Sequence, residues 1–253
     1  MFGRRKKGSA AEDAAGEAEQ VVDDVDTEAD GTDRERVRLE PEPRPDGPWD
    51  DSEVRDPAEG RVDLGGILVP GVDGMELRVE VAGDAIVAAT VVLKDSAIQL
   101  QAFAAPKREG IWGEVREEIA SGITQQGGVI DEVEGPLGWE LRAQVPVQLP
   151  DGTGGFQVVR FVGVDGPRWF LRGVISGQGA VQPQAAGLLE QIFRDTVVVR
   201  GEGPMAPRDP IVLKLPNDAQ MVPEGVQQEE QAGSRFSGGM GQLQRGPETT
   251  EVR

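Results

Sequence analysis

The stretch MELRVEVAGDAIVAATVVLKDSAIQLQAFAA, residues 75–105, decides the fold. Leu77, Val79 and Val81 alternate with Glu76, Arg78 and Glu80, the period of a strand with one face buried. Gly83-Asp84 turns the chain into IVAATVVLK, and Asp95-Ser96 turns it again into AIQLQAFAA, where Ile98, Leu100 and Ala102 alternate with Gln99, Gln101 and Phe103. Three strands joined by turns this short predict an antiparallel meander.

Downstream the period changes. Between Pro106 and Gly128, Ile111, Val115 and Ile119 recur every four residues beside Trp112, which predicts a helix closed by Gly127-Gly128. The alternation then returns in VIDEV, in WELRAQVPVQL with Trp139, Leu141, Ala143, Val145 and Val147 on one face, in FQVVRFVGV and in RWFLRGVIS. Pro183 suits the first turn of a second helix with Leu188, Leu189, Ile192 and Phe193 as its apolar face. TVVVR follows as a last strand, and IVLKLP as an edge strand or docked tail. Strands and helices in this order predict one α+β domain over 61–216, a mainly antiparallel sheet with two helices covering one face.

The flanks differ from this middle. Residues 1–60, 61–216 and 217–253 carry net charges of −10, −6 and −3. Residues 1–60 open on four cations, Arg4, Arg5, Lys6 and Lys7, and continue as an acidic, Pro-rich linker; with the C-terminal tail 217–253 they are poor in β-branched and aromatic residues and read as disordered. Trp49 is the large apolar exception in the linker, an anchor on the domain or on a partner, or a solvated side chain.

Absences bound the chemistry. The 253 residues include no Cys and no His, so thiol nucleophiles, thiolate metal sites and the usual base near neutral pH are missing. We expect no catalytic constellation, no metal and no cofactor. No apolar run reaches the roughly 18 residues of a spanning helix, and the leading cations are followed by SAAEDAAGEAEQ, so we expect a cytoplasmic protein without stable membrane insertion.

The opening MFGRRKK, the segment VDLGGILVP, and the pair FVGVDGPRWFLRGVISG and LLEQIFRDTVVVRG resemble the actinobacterial domain-of-unknown-function 3710 family over nearly the whole chain. The resemblance implies a high-G+C Gram-positive origin. It transfers no catalytic residue, since no activity is established for that family.

Each candidate site has a plainer alternative. Gly177 and Gly179, in GVISGQGAVQP, stand between a strand and a helix as in a dinucleotide-binding turn, but Gln182 replaces the third Gly and Pro183 removes an amide. Asp131, Glu132 and Glu134 could form a carboxylate cluster, although the segment reads as a solvated hairpin end. Ser96 with Lys94 lacks the strained turn of an activated nucleophile. In RWFLRG, Arg168, Phe170 and Arg172 share one face and, with Arg160 and Phe161 nearby, suggest a basic aromatic surface for an anion or partner. An ordinary solvent face with paired arginines is the plainer account. The four N-terminal cations offer only weak contact with lipid or nucleic acid, because ten acids follow in residues 8–33.

Together these features point to a non-catalytic adaptor that recognises another protein through its sheet face or tails. A binder of a small anion, or an unrecognised enzyme, using the 176–183 turn or the Arg168/Arg172 face is the alternative. The acidic balance argues against nucleic acid.

Overall fold

The alternating stretches form strands in a computed structural model that describes residues 42–148 and 152–215. In chain order these residues contain β1 (Trp49–Asp50), a 3-10 turn (Asp51–Glu53), β2 (Arg61–Asp63), β3 (Ile67–Pro70), β4 (Glu76–Ala82), β5 (Ala85–Leu93) and β6 (Ser96–Ala104). There follow α1 (Trp112–Gln125), β7 (Val129–Gly135), β8 (Gly138–Gln148), β9 (Gly154–Gly166), β10 (Trp169–Gly177), α2 (Gln178–Val181), α3 (Pro183–Asp195) and β11 (Val197–Val198). The architecture is α+β and mainly antiparallel. Seven strands in the order β4-β5-β6-β10-β9-β8-β7 form the central sheet, and β1-β11-β3-β2 form a second, smaller one. Only the β1/β11 pair is parallel.

The central sheet is covered on both faces, which corrects the expectation that the helices share one. Leu100, Leu171 and Ile175 pack with Leu189, Ile192 and Phe193 of α3 and with Ile67, Val69 and Val198 of the small sheet. On the opposite face, Phe103, Phe161 and Phe170 pack with Trp112, Val115 and Ile123 of α1. The second core is inconspicuous in the sequence because its phenylalanines alternate with core residues of the first face and share their own face with Gln101 and Arg172.

Residues 42–60 also depart from expectation. Trp49 and Asp50 pair with Val197 and Val198, and Asp50 caps the following turn together with Glu53, whose carboxylate accepts from the Asp50 amide at 2.8 Å. The Asp50 carboxylate accepts a hydrogen bond from the buried Trp169 indole at 2.8 Å, and the Arg44 guanidinium lies 5.1 Å from the same ring. A segment read as linker is thus fastened to the core. The expected tails, 1–41 and 216–253, lie outside the described residues.

Smaller differences have local causes. The first helix starts at Trp112, not Pro106. Trp139 is 41% and Leu188 47% exposed, where both were expected inside. IVLKLP bridges the start of β5 and the end of β6, beyond the stretch where those two strands pair: the Ile211 amide donates to Ala102 O at 2.9 Å and the Leu213 amide to Ile86 O at 2.8 Å.

Candidate functional site

The basic aromatic face anticipated around RWFLRG does not assemble, and the reason is register. Partners in an antiparallel pair share a face, and β9 opposes β10 with Arg160 against Ile175 and Phe161 against Val174. Arg160 therefore points to the α3 side, while Phe170 and Arg172 point to the α1 side. Arg168 is on neither. It sits in the exposed Pro167-Arg168 turn with φ +65°, the left-handed conformation that a type II turn needs at its second central residue.

Arg160 is neutralised in place. Its Nη2 donates to Glu140 Oε2 at 2.6 Å and to Glu190 Oε1 at 2.8 Å, and its Nε donates to Glu140 Oε1 at 3.2 Å. Glu140 is fully buried and also accepts from Arg142 Nε at 2.9 Å. Burial works to lower the Arg160 pKa, but its hydrogen bonds to Glu140 and Glu190 outweigh that and raise it. Two cations and two anions thus close on one another and tie α3 to β8 and β9.

Arg172 is different. It is 3% exposed, donates to the Gln101 side-chain oxygen, and lies 5.4 Å from the Phe103 ring, while its Nε finds no acceptor. Burial pulls its pKa down to about 10, against the field of Glu80. Phe170 beside it is fully buried and stacks on Trp112 with ring centres 5.6 Å apart. Neither residue offers a surface.

The glycine turn also turns inward. The Gln178 amide donates to Asp95 O at 3.0 Å and the Gly179 amide to Ser96 Oγ at 3.0 Å, so amides that would face a phosphate are already engaged. Gly177, at φ +69°, is needed because a Cβ there would meet Asp95 O at 2.1 Å. β10 is antiparallel to both neighbours, unlike the parallel unit of the dinucleotide motif.

The remaining candidates fall in scattered places. Asp131, Glu132 and Glu134 lie on β7, the edge strand, with Glu132 paired to Arg116 Nε at 2.9 Å. Trp49 is half-buried against the domain, beside Pro45, Asp46 and Arg194. Arg4, Arg5, Lys6 and Lys7 lie outside the described residues.

Two features escaped sequence reasoning. The first is Asp165, at the end of β9, whose carboxylate accepts from the Ile111 amide at 2.8 Å and the Trp112 amide at 3.1 Å. Ile111 itself supplies no side-chain cap, so Asp165 caps α1 from a distance. Burial raises its pKa in spite of these two amide donors.

The second is a surface. Across β7, β8 and β9, Val129 opposes Gln144 and Gln144 opposes Val158, while Pro146 opposes Phe156 in the next row but one of the same face. These residues share the α3 side with Glu140 and Arg160, but α3 does not cover them. Val129 is 54%, Val158 36% and Phe156 61% exposed. FQVVRFVGV displays the alternation that builds this face, yet nothing in it shows that the covering helix stops short.

No curated protein matches the chain. A family described as "Protein of unknown function (DUF3710)" matches residues 47–221, from β1 through the last described segment and beyond. The chain belongs to the DUF3710 family.

Proposed function

We propose that this protein is a non-catalytic, cytoplasmic protein-binding domain whose contact surface is the bare end of the central sheet. The observation that carries this reading is the exposure of Val129, Phe156 and Val158 on one face of β7–β9. A large aromatic that is 61% exposed among other apolar side chains marks a surface for association more than an ordinary solvent face. The occupant that fits is an amphipathic helix of another protein with basic flanks. On the opposite face of the same strands, α1 lays Val115 and Ile123 over Leu141 and Val159, so a helix suits these strands. Residues 61–216 carry a net charge of −6, which favours a basic partner.

Strand addition at the edges is disfavoured. β7 presents Asp131, Glu132 and Glu134, and β4 carries an irregularity at Glu80/Val81, both devices that blunt an edge.

The test places a photo-crosslinking residue at position 156, 158 or 129 of the full-length protein in its native cells, with exposed Gln184 as control. One protein captured from all three patch positions, absent at 184, and lost with Phe156→Asp after both components are purified, supports the reading. Crosslinks only to a second copy of this chain, or equal capture at 184, overturn it.

A further inference from the structure

We propose that a second site, the cleft bounded by Gly65-Gly66, Arg200, Met205, Ile211 and Lys214, binds a small organic anion with an apolar body. β11 runs antiparallel to β3, with Val197 against Leu68 and Val198 against Ile67. The pairing continues as the Val199 amide donates to Gly66 O at 3.0 Å, and on the other side the Lys214 amide donates to Leu64 O at 2.7 Å. Leu64-Gly65-Gly66 therefore lies between Val199 and Lys214, and the space left there is about 370 Å³, within the range of small-molecule sites.

The lining is unusual for this chain. Acidic residues outnumber basic ones 45 to 26 overall, yet the cleft is lined by two cations and no carboxylate. Among the described residues neither Arg200 nor Lys214 makes an ion pair. Arg200 Nη1 donates to Gly201 O at 2.9 Å and Gly203 O at 3.0 Å, which holds the guanidinium in position. Its Nε is buried and finds no acceptor. The nearby Asp63 side chain is committed to the Gly65 amide at 2.7 Å. A guanidinium held by two backbone carbonyls and an exposed ammonium, neither in an ion pair among the described residues, are suited to one anionic group through charge-assisted hydrogen bonds.

Met205 and Ile211 supply the apolar part. A Cβ on Gly65 would approach the Lys214 side chain to 3.2 Å, so glycine there leaves the Lys214 stem room over the floor. An anion carried on a short hydrocarbon fits this combination better than a bare inorganic one.

The test titrates full-length, ¹⁵N-labelled protein at fixed ionic strength with octanoate, octanol and inorganic phosphate. Saturable movement of the Gly65, Gly66 and Gly201 amides by octanoate is expected, with octanol and phosphate weaker by about tenfold. Lys214→Gln should weaken octanoate by about fivefold while leaving Tm unchanged. Absence of saturable shifts at these three glycines overturns the site. Equal binding by Lys214→Gln removes the anion contact, and phosphate binding as tightly as octanoate removes the amphiphile. Because none of these residues belongs to the β7–β9 patch, failure here leaves the protein-binding reading standing, and the reverse also holds.

Discussion

Arg160 and Arg172 lie on adjacent strands, both buried, and opposite in consequence. Arg160 closes a network with Glu140 and Glu190, so Arg160→Met leaves Glu190 buried without its cation and Glu140 with Arg142 alone. Chemical denaturation should register a loss of about 3–5 kcal/mol. Arg172 has an amide, not a carboxylate, as its hydrogen-bond partner, so Arg172→Met combined with Gln101→Leu removes a costly buried cation together with the group it engages. That pair should be neutral or stabilising in the same experiment, and a loss above about 2 kcal/mol would mean that the cation has a stabilising role we have missed. Asp165 gives a third test. Asp165→Ala uncaps α1 and should cost about 1–2 kcal/mol. Its carboxyl is held above the ordinary aspartate value of 3.8, so the folded state binds the proton more tightly than the unfolded chain. This group's contribution to stability is therefore greatest in acid and falls as pH rises through the window from the unfolded pKa to the raised folded one, then stays flat. The difference in stability between wild type and Asp165→Asn, followed from pH 3 upward at about half-unit steps, should decline through that window and level off.

At the scale of the element, helix α3 offers an internal control. Leu189 is 1% exposed and Leu188, its neighbour, 47%. Leu189→Ala should destabilise by about 2–5 kcal/mol and Leu188→Ala by less than about 0.5 kcal/mol, a contrast that equal effects would contradict. The sequence showed both as one apolar face, since adjacent leucines fit a helical stripe whichever is turned to the core. Strands were easier to read than helices for a physical reason: a period of two assigns every residue to a side, and β4, β5, β6, β8, β9 and β10 all stand where alternation put them. Alternation names two sides but does not say what covers each. Phe103, Phe161 and Phe170 needed α1 above them before they could be recognised as a second core. The two-residue strands β1 and β11 carry no period at all, and their pairing depends on side chains far away in sequence. The candidate sites fared according to the same rule. Residues on one strand were correctly assigned relative to one another, as with Phe170 and Arg172, whereas Arg160 was misplaced because facing across strands depends on register.

For the whole molecule, the N-terminal limit of the folded body is the testable quantity. A chain trimmed to 42–215 keeps β1, the Asp50 hydrogen bond to Trp169 and the Arg44 contact, and should unfold at the same denaturant concentration as the full chain. Trimming to 61–215 leaves a buried indole N–H without an acceptor and should cost at least about 1–3 kcal/mol. Equal stability of the two fragments would return residues 42–60 to the status of a linker. The parallel contact of β1 with β11 has one more consequence, for synthesis. Trp49 and Val197 are roughly 150 residues apart, so at about 5–20 residues per second the first strand waits on the order of 7–30 s on the ribosome for its neighbour to be made. Until then the α3 face of the central sheet lacks both its helix and the strand that links β1 to β3, and the closure of β1 on β11 is a long-range contact of the kind that slows folding.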